Sequence, residues 1–96
     1  MSVRSVAIIG LGLLGGSIGL AVKARGLPVT TTGWDRDAGV RERAAARGLV
    51  DQVCERAEDA VAEADLVILC VPVGAMGEAA QAIAPGLKPN AIISDV

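Results

Sequence analysis

Gly10, Gly12 and Gly15 stand in a G-x-G-x-x-G pattern directly after an apolar run, and Asp35 follows twenty residues beyond the last of them. Glycines so spaced carry a strand into a helix through a tight turn, leaving backbone N–H groups to face phosphate oxygens. An acid at that distance can accept hydrogen bonds from vicinal ribose hydroxyls. The two features together describe a site for a dinucleotide. Gly10 supplies the turn, Gly12 keeps a side chain away from the pyrophosphate, and Gly15 lets the helix lie against its strand. Leu11, Leu13 and Leu14 fill the intervening positions, and the positive end of the helix opening near Leu13 faces the phosphates.

Gly12, Gly15, Gly16 and Gly19 fall on one helical face. Three interior glycines cost roughly 3 kcal/mol relative to alanine, so that face must approach strand, ligand or both closely. Tight packing alone accounts for Gly16 and Gly19 but not for the loop glycines. Asp35 favours NAD, since its charge would repel a 2′-phosphate. Its alternative role is a helix cap, for which Asp37 is better placed. Arg36 pulls the other way, because a guanidinium there can stack on adenine or pair with a 2′-phosphate, so NADP stays the second choice. Val71, Pro72 and Val73 are expected across the crevice from the glycine loop, although Pro72 can equally be a strand terminator. Trp34 is assigned to the core or a helix-facing wall, with the adenine pocket as the alternative.

These residues need a frame. Val6–Ile9 reads as a buried strand, and a helix runs from Leu13 to Arg25 with Gly26 at its end. Val29–Trp34 is a second strand, and Ala38–Arg47 a helix capped by Asp37 and closed by Gly48. A short third strand lies within 49–54, then a helix over 57–64 with Ala57, Val61 and Ala64 inward. Leu66–Val71 is a fourth strand. The next helix turns Met76, Ala79, Ala80 and Ile83 inward and stops at Pro85-Gly86, and Ala91–Ser94 is a fifth strand. Alternation of this kind gives an α/β class, a Rossmann-type doubly wound parallel sheet of order 3-2-1-4-5 with its ligand crevice between strands 1 and 4.

Ninety-six residues make one domain, with 52% hydrophobic residues but Trp34 as the single aromatic. Such a core of small aliphatic side chains suits a sheet covered on both faces. A net charge of −2 with scattered basic residues gives no reason to expect nucleic acid. Cys54 and Cys70 match no metal or redox spacing and are expected as buried thiols in a reducing cytoplasm, with no metal site. Ser5–Val22 carries no charge, but its five glycines argue against a membrane anchor and for a cytoplasmic protein. Histidine is absent, so the commonest acid–base group cannot come from these residues. Because the sequence stops straight after a strand, residues 1–96 are expected to be the dinucleotide-binding domain of a longer two-domain enzyme.

The motifs Gly10-Leu11-Gly12-Leu13-Leu14-Gly15-Gly16-Ser17, Gly33-Trp34-Asp35-Arg36-Asp37, 64–73 and Ile93-Ser94-Asp95-Val96 resemble the N-terminal domain of the prephenate/arogenate dehydrogenase family. The double glycine with serine, and the Asp-Val closing strand 5, separate it from a generic dinucleotide fold. The resemblance adds Asp95 to the cofactor-binding candidates. It implies NAD-linked oxidative decarboxylation in tyrosine biosynthesis, prephenate or arogenate as substrate, a helical C-terminal domain and a homodimer. The family's catalytic histidine, substrate-carboxylate arginines and Gly-Ser-x-Lys segment have no counterpart here, so no catalytic residue is assigned and the chain is expected to bind NAD without turnover. Two alternatives stand beside this reading: another NAD(P)-dependent dehydrogenase of the 3-hydroxyisobutyrate or 6-phosphogluconate type, or a non-catalytic dinucleotide-binding regulatory module.

Overall fold

The computed structural model describes residues 2–96. Strands β1 (Ser5–Ile9), β2 (Thr30–Trp34), β3 (Gln52–Val53), β4 (Leu66–Leu69) and β5 (Ile92–Asp95) pair in parallel in the order β3-β2-β1-β4-β5. The expected doubly wound topology is therefore present. Ile9 lies opposite Trp34 on one side and Leu69 on the other, so the three central strands end level with one another. Winding reverses at β1, which leaves a crevice beyond those carboxyl ends.

β1 is apolar from Val6 to Ile9 because both faces of that stretch are covered. Val6 and Ile8 join Leu11, Ala44 and Val50 in one core layer, under helices α1 (Leu13–Ala24) and α2 (Ala38–Arg47). Ala7 and Ile9 join Val61, Val67, Leu69 and Ile83 in the other, under α3 (Ala57–Val61) and α4 (Met76–Ile83). Among the described residues, no helix is long and apolar enough to cross a membrane.

Polar clamps set the strand spacing. Thr31 N–H donates to Asp51 Oδ2 at 2.9 Å while Asp51 N–H donates to Thr31 Oγ1 at 2.9 Å, which ties β2 to the approach to β3. At the amino end of the sheet, Asp65 accepts from the backbone N–H groups of Arg4 (2.8 Å) and Ser5 (3.2 Å) and pairs with Lys88. These bonds hold the Asp65 carboxyl down at about 2, the Lys88 bond contributing most.

Several expected boundaries shift, each for a local reason. The helix over 57–64 stops at Val61, because Ala62 and Ala64 N–H bond three residues back in a tightening turn. The fourth strand ends at Leu69 rather than Val71, since β1 turns away at Gly10 and leaves nothing to pair with. The second and fifth strands begin one residue late, at Thr30 and Ile92, after turns bonded Val29 N–H to Leu27 O and Ala91 N–H to Lys88 O. Ala80 is exposed, with Ala82 turned toward the core in its place. Cys54 and Cys70 are half-buried rather than buried, and burial pushes both thiols above their ordinary value, with Asp59 adding to the effect at Cys54.

Candidate dinucleotide site

The site begins where β1 stops. Gly10 has φ +99°, a conformation that L side chains rarely adopt, and a Cβ there would overlap the Cys70 carbonyl. Its N–H still donates to Trp34 O at 2.8 Å, and Cys70 N–H donates to Ile9 O at 2.7 Å, so the turn is pinned between β2 and β4. Gly15 sits beneath it, and a Cβ there would collide with the Gly10 carbonyl oxygen and meet Ile8 Cγ2 at 3.2 Å. Gly12 differs from both: a Cβ would meet nothing within 4 Å, so its missing side chain leaves the backbone open to the crevice rather than to a packing neighbour. Gly16 and Gly19 face the Leu49 segment, which accounts for them by packing.

That openness coincides with the uncapped end of α1. Gly12 is the N-cap, no side chain bonds to this end, and the first turn holds no acid. Helix geometry leaves the N–H groups of Leu13, Leu14 and Gly15 without intrahelical acceptors, at the positive end of a twelve-residue helix. By contrast, α2 is capped by Asp37, whose Oδ1 accepts from Gly39 N–H at 2.8 Å and Val40 N–H at 3.3 Å. Asp37 thus takes the capping role and leaves Asp35 for another.

Asp35 lies just past the carboxyl end of β2. Its Oδ2 accepts from Leu11 N–H at 2.9 Å and its Oδ1 from Asp37 N–H at 2.9 Å. The carboxylate is therefore oriented by the glycine loop itself, and each oxygen keeps acceptor capacity for a further donor. Arg41 Nη1 donates to the Asp35 carbonyl at 2.7 Å and holds the loop from behind. Trp34 is half-buried against the α3/α4 core, as its main assignment expects, with its indole N–H on Glu55 O at 3.1 Å, and it also lines the cleft.

Gly10, Gly12, Asp35, Arg36, Val71 and Pro72 line one cleft of about 320 Å³. The remaining predicted residues stand differently. Leu11 is buried and turns its side chain into the core, offering the site only its N–H to Asp35. Leu13 is 91% exposed, Leu14 52% and Val73 89%, so their side chains do not form the cleft wall. Asp95, opposite Leu69 at the end of β5, is exposed and lies outside the cleft lining. Val40, Cys70, Ala75, Glu78 and Ala82 line the cleft but carried no sequence signal for it. The start of α4 at the crevice was the available clue, since a helix following strand 4 must begin beside the ligand crevice. Cys70, with its thiol pushed up by burial, stays protonated and adds to the apolar wall.

The family model for the nucleotide-binding domain of prephenate dehydrogenase matches residues 18–96. The chain belongs to this family. The match starts after the glycine loop, so the loop's own reading stands on its geometry. The chain is 52% identical over 92 residues to the cyclohexadienyl dehydrogenase of Zymomonas mobilis, covering 96% of this chain and 31% of that protein. It superposes on a crystal structure of Synechocystis arogenate dehydrogenase with a TM-score of 0.86 and 29% identity, covering 97% of this chain and 32% of the other. The prephenate dehydrogenase of A. aeolicus, solved in complex with hydroxyphenyl propionate and NAD+, gives a TM-score of 0.85 at 26% identity, covering 99% and 34%. The chain thus spans about a third of the length of the relatives it matches.

Proposed function

We propose that this domain binds NAD in the cleft at the carboxyl ends of β1, β2 and β4, in an oxidoreductase that oxidatively decarboxylates prephenate or arogenate. The observation that carries the reading is the pairing of an open, uncapped α1 N-terminus at Gly12 with the Asp35 carboxylate fixed on Leu11 N–H. The donor set fits the group: free N–H groups for a pyrophosphate, an anionic acceptor for a ribose diol, and an apolar wall for a flat ring. NAD bound there supplies a hydride acceptor.

Each residue has a part in holding it. Gly12 admits the pyrophosphate to the backbone, and the Leu13, Leu14 and Gly15 amides face its charge. Gly10 and Gly15 fix the turn from which those amides point. Asp35 takes the adenosine ribose hydroxyls, Arg36 borders the adenine, and Val71 and Pro72 form the wall after β4. Asp95, at the end of β5 opposite Leu69, is kept among the cofactor-side residues on the family resemblance alone. Relatives named for prephenate, cyclohexadienyl and arogenate dehydrogenation support the substrate class, and the NAD+ bound in the A. aeolicus protein supports the cofactor. The whole protein is further proposed to be cytoplasmic and homodimeric, in line with the family resemblance.

The test is an assay of the intact protein with prephenate and with arogenate, each supplied with NAD or NADP. NADH formation from one of the two substrates is the expected result, and no turnover of either with NAD would contradict the proposal. Since these 96 residues contain no histidine, they are expected to bind NAD without turnover when isolated. Steady NADH production from prephenate by them alone would overturn that division of roles.

A further inference from the structure

Arg36 enters the cleft from the loop after β2, and Glu78 from α4 on the opposite rim, and Nη1 of the one lies 3.5 Å from Oε1 of the other. The pair spans the mouth of the cleft. Arg36 has two acidic neighbours in sequence, but their oxygens serve the backbone. Asp35 accepts from Leu11 and Asp37 N–H, and Asp37 accepts from Gly39 and Val40 N–H. The guanidinium reaches across to Glu78, whose carboxylate accepts no hydrogen bond from any other group among the described residues.

We propose that Glu78 is a selectivity residue: by occupying Arg36 it denies a 2′-phosphate the basic side chain that lines the cleft next to the ribose acceptor Asp35. The inference rests on the cofactor reading above and adds a residue to it. A 2′-phosphate arriving next to Asp35 would meet two carboxylates and would have to draw Arg36 away from Glu78. A ribose with free hydroxyls meets no such competition. Both side chains are about 70% exposed, at 70% and 69%, and an exposed pair adds little to folding. Substitution at Glu78 therefore reads selectivity rather than stability.

The experiment is calorimetric titration of the protein with NAD and NADP, comparing parent, Glu78→Gln and the double variant Arg36→Ala/Glu78→Gln. Glu78→Gln should raise the NADP-to-NAD affinity ratio about fivefold, with the gain shrinking as ionic strength rises toward about 0.5 M. The double variant should return the ratio to the parent value or below it. An unchanged ratio in Glu78→Gln overturns the inference while leaving NAD binding in place. So does a gain that survives removal of Arg36, because Glu78 would then not act through it. A parent protein that binds neither nucleotide overturns the cofactor reading and this inference with it.

Discussion

Gly12 and Gly15 lie three residues apart, yet a methyl group would do opposite things at the two positions. At Gly12 it would enter open space and cost folding at most about 1 kcal/mol, the difference between glycine and alanine at an N-cap. Gly12→Ala is expected to fold and to lose NAD affinity by more than about tenfold, as measured by binding beside urea unfolding. At Gly15 the methyl overlaps the Gly10 carbonyl, so Gly15→Ala should destabilise by about 2 kcal/mol or more. Equal effects of the two substitutions on stability would contradict this assignment. Asp35→Asn keeps one acceptor but loses the charge that two N–H groups share. It should lower stability by about 1–2 kcal/mol and narrow the preference for NAD over NADP. At this scale the sequence was most legible, because glycine spacing and the acid after strand 2 are local signals. Glu78 and Cys70 were not, because nothing in their neighbours marks them: they reach the cleft only once β4 and α4 have been placed beside β1.

Among the elements, the difference between the two helices on one face carries the functional meaning. α2 is closed at both ends, by Asp37 and by Gly48 at φ +62°, with Leu49 N–H reaching back to Ala44 O at 3.1 Å. Leu49 is thereby held against the glycine face of α1, where a Cβ on Gly19 would strike its carbonyl. α1 is left open at its N-terminus and so faces the cleft with unsatisfied donors. Replacing the α2 cap, Asp37→Ala, should cost about 1 kcal/mol in urea denaturation. An unchanged midpoint would show that the cap bonds do not persist in solution. Both caps and the strand order were readable, since Asp37, Gly48 and the β-α alternation each impose a chain direction. The helix and strand ends were less so. Ala64 and Val71 continue the apolar pattern past the point where the backbone leaves the element, and hydrophobicity alone does not record that departure.

For the molecule as a whole, the opposite end of the sheet matters to stability. Asp65 gathers the start of β1, the start of β4 and Lys88 into one knot, and its carboxyl is lowered to about 2. An unfolded aspartate titrates near about 3.9. A depressed folded value means that the stabilisation is fully present above that unfolded value and is lost as pH falls from about 4 toward 2. Acid unfolding should therefore steepen in that window, and Asp65→Asn should flatten it. An identical acid limb in the variant would place the sensitivity elsewhere. The cleft lies at the other end of the same strands, so this change is expected to alter folding rather than cofactor choice. The most direct test of the central claim is equilibrium dialysis of NAD and NADP against the folded protein. One saturable site per chain, tighter for NAD than for NADP and weakened by Gly12→Ala, is the predicted result. No retention of NAD by folded protein, or tighter retention of NADP, would contradict it.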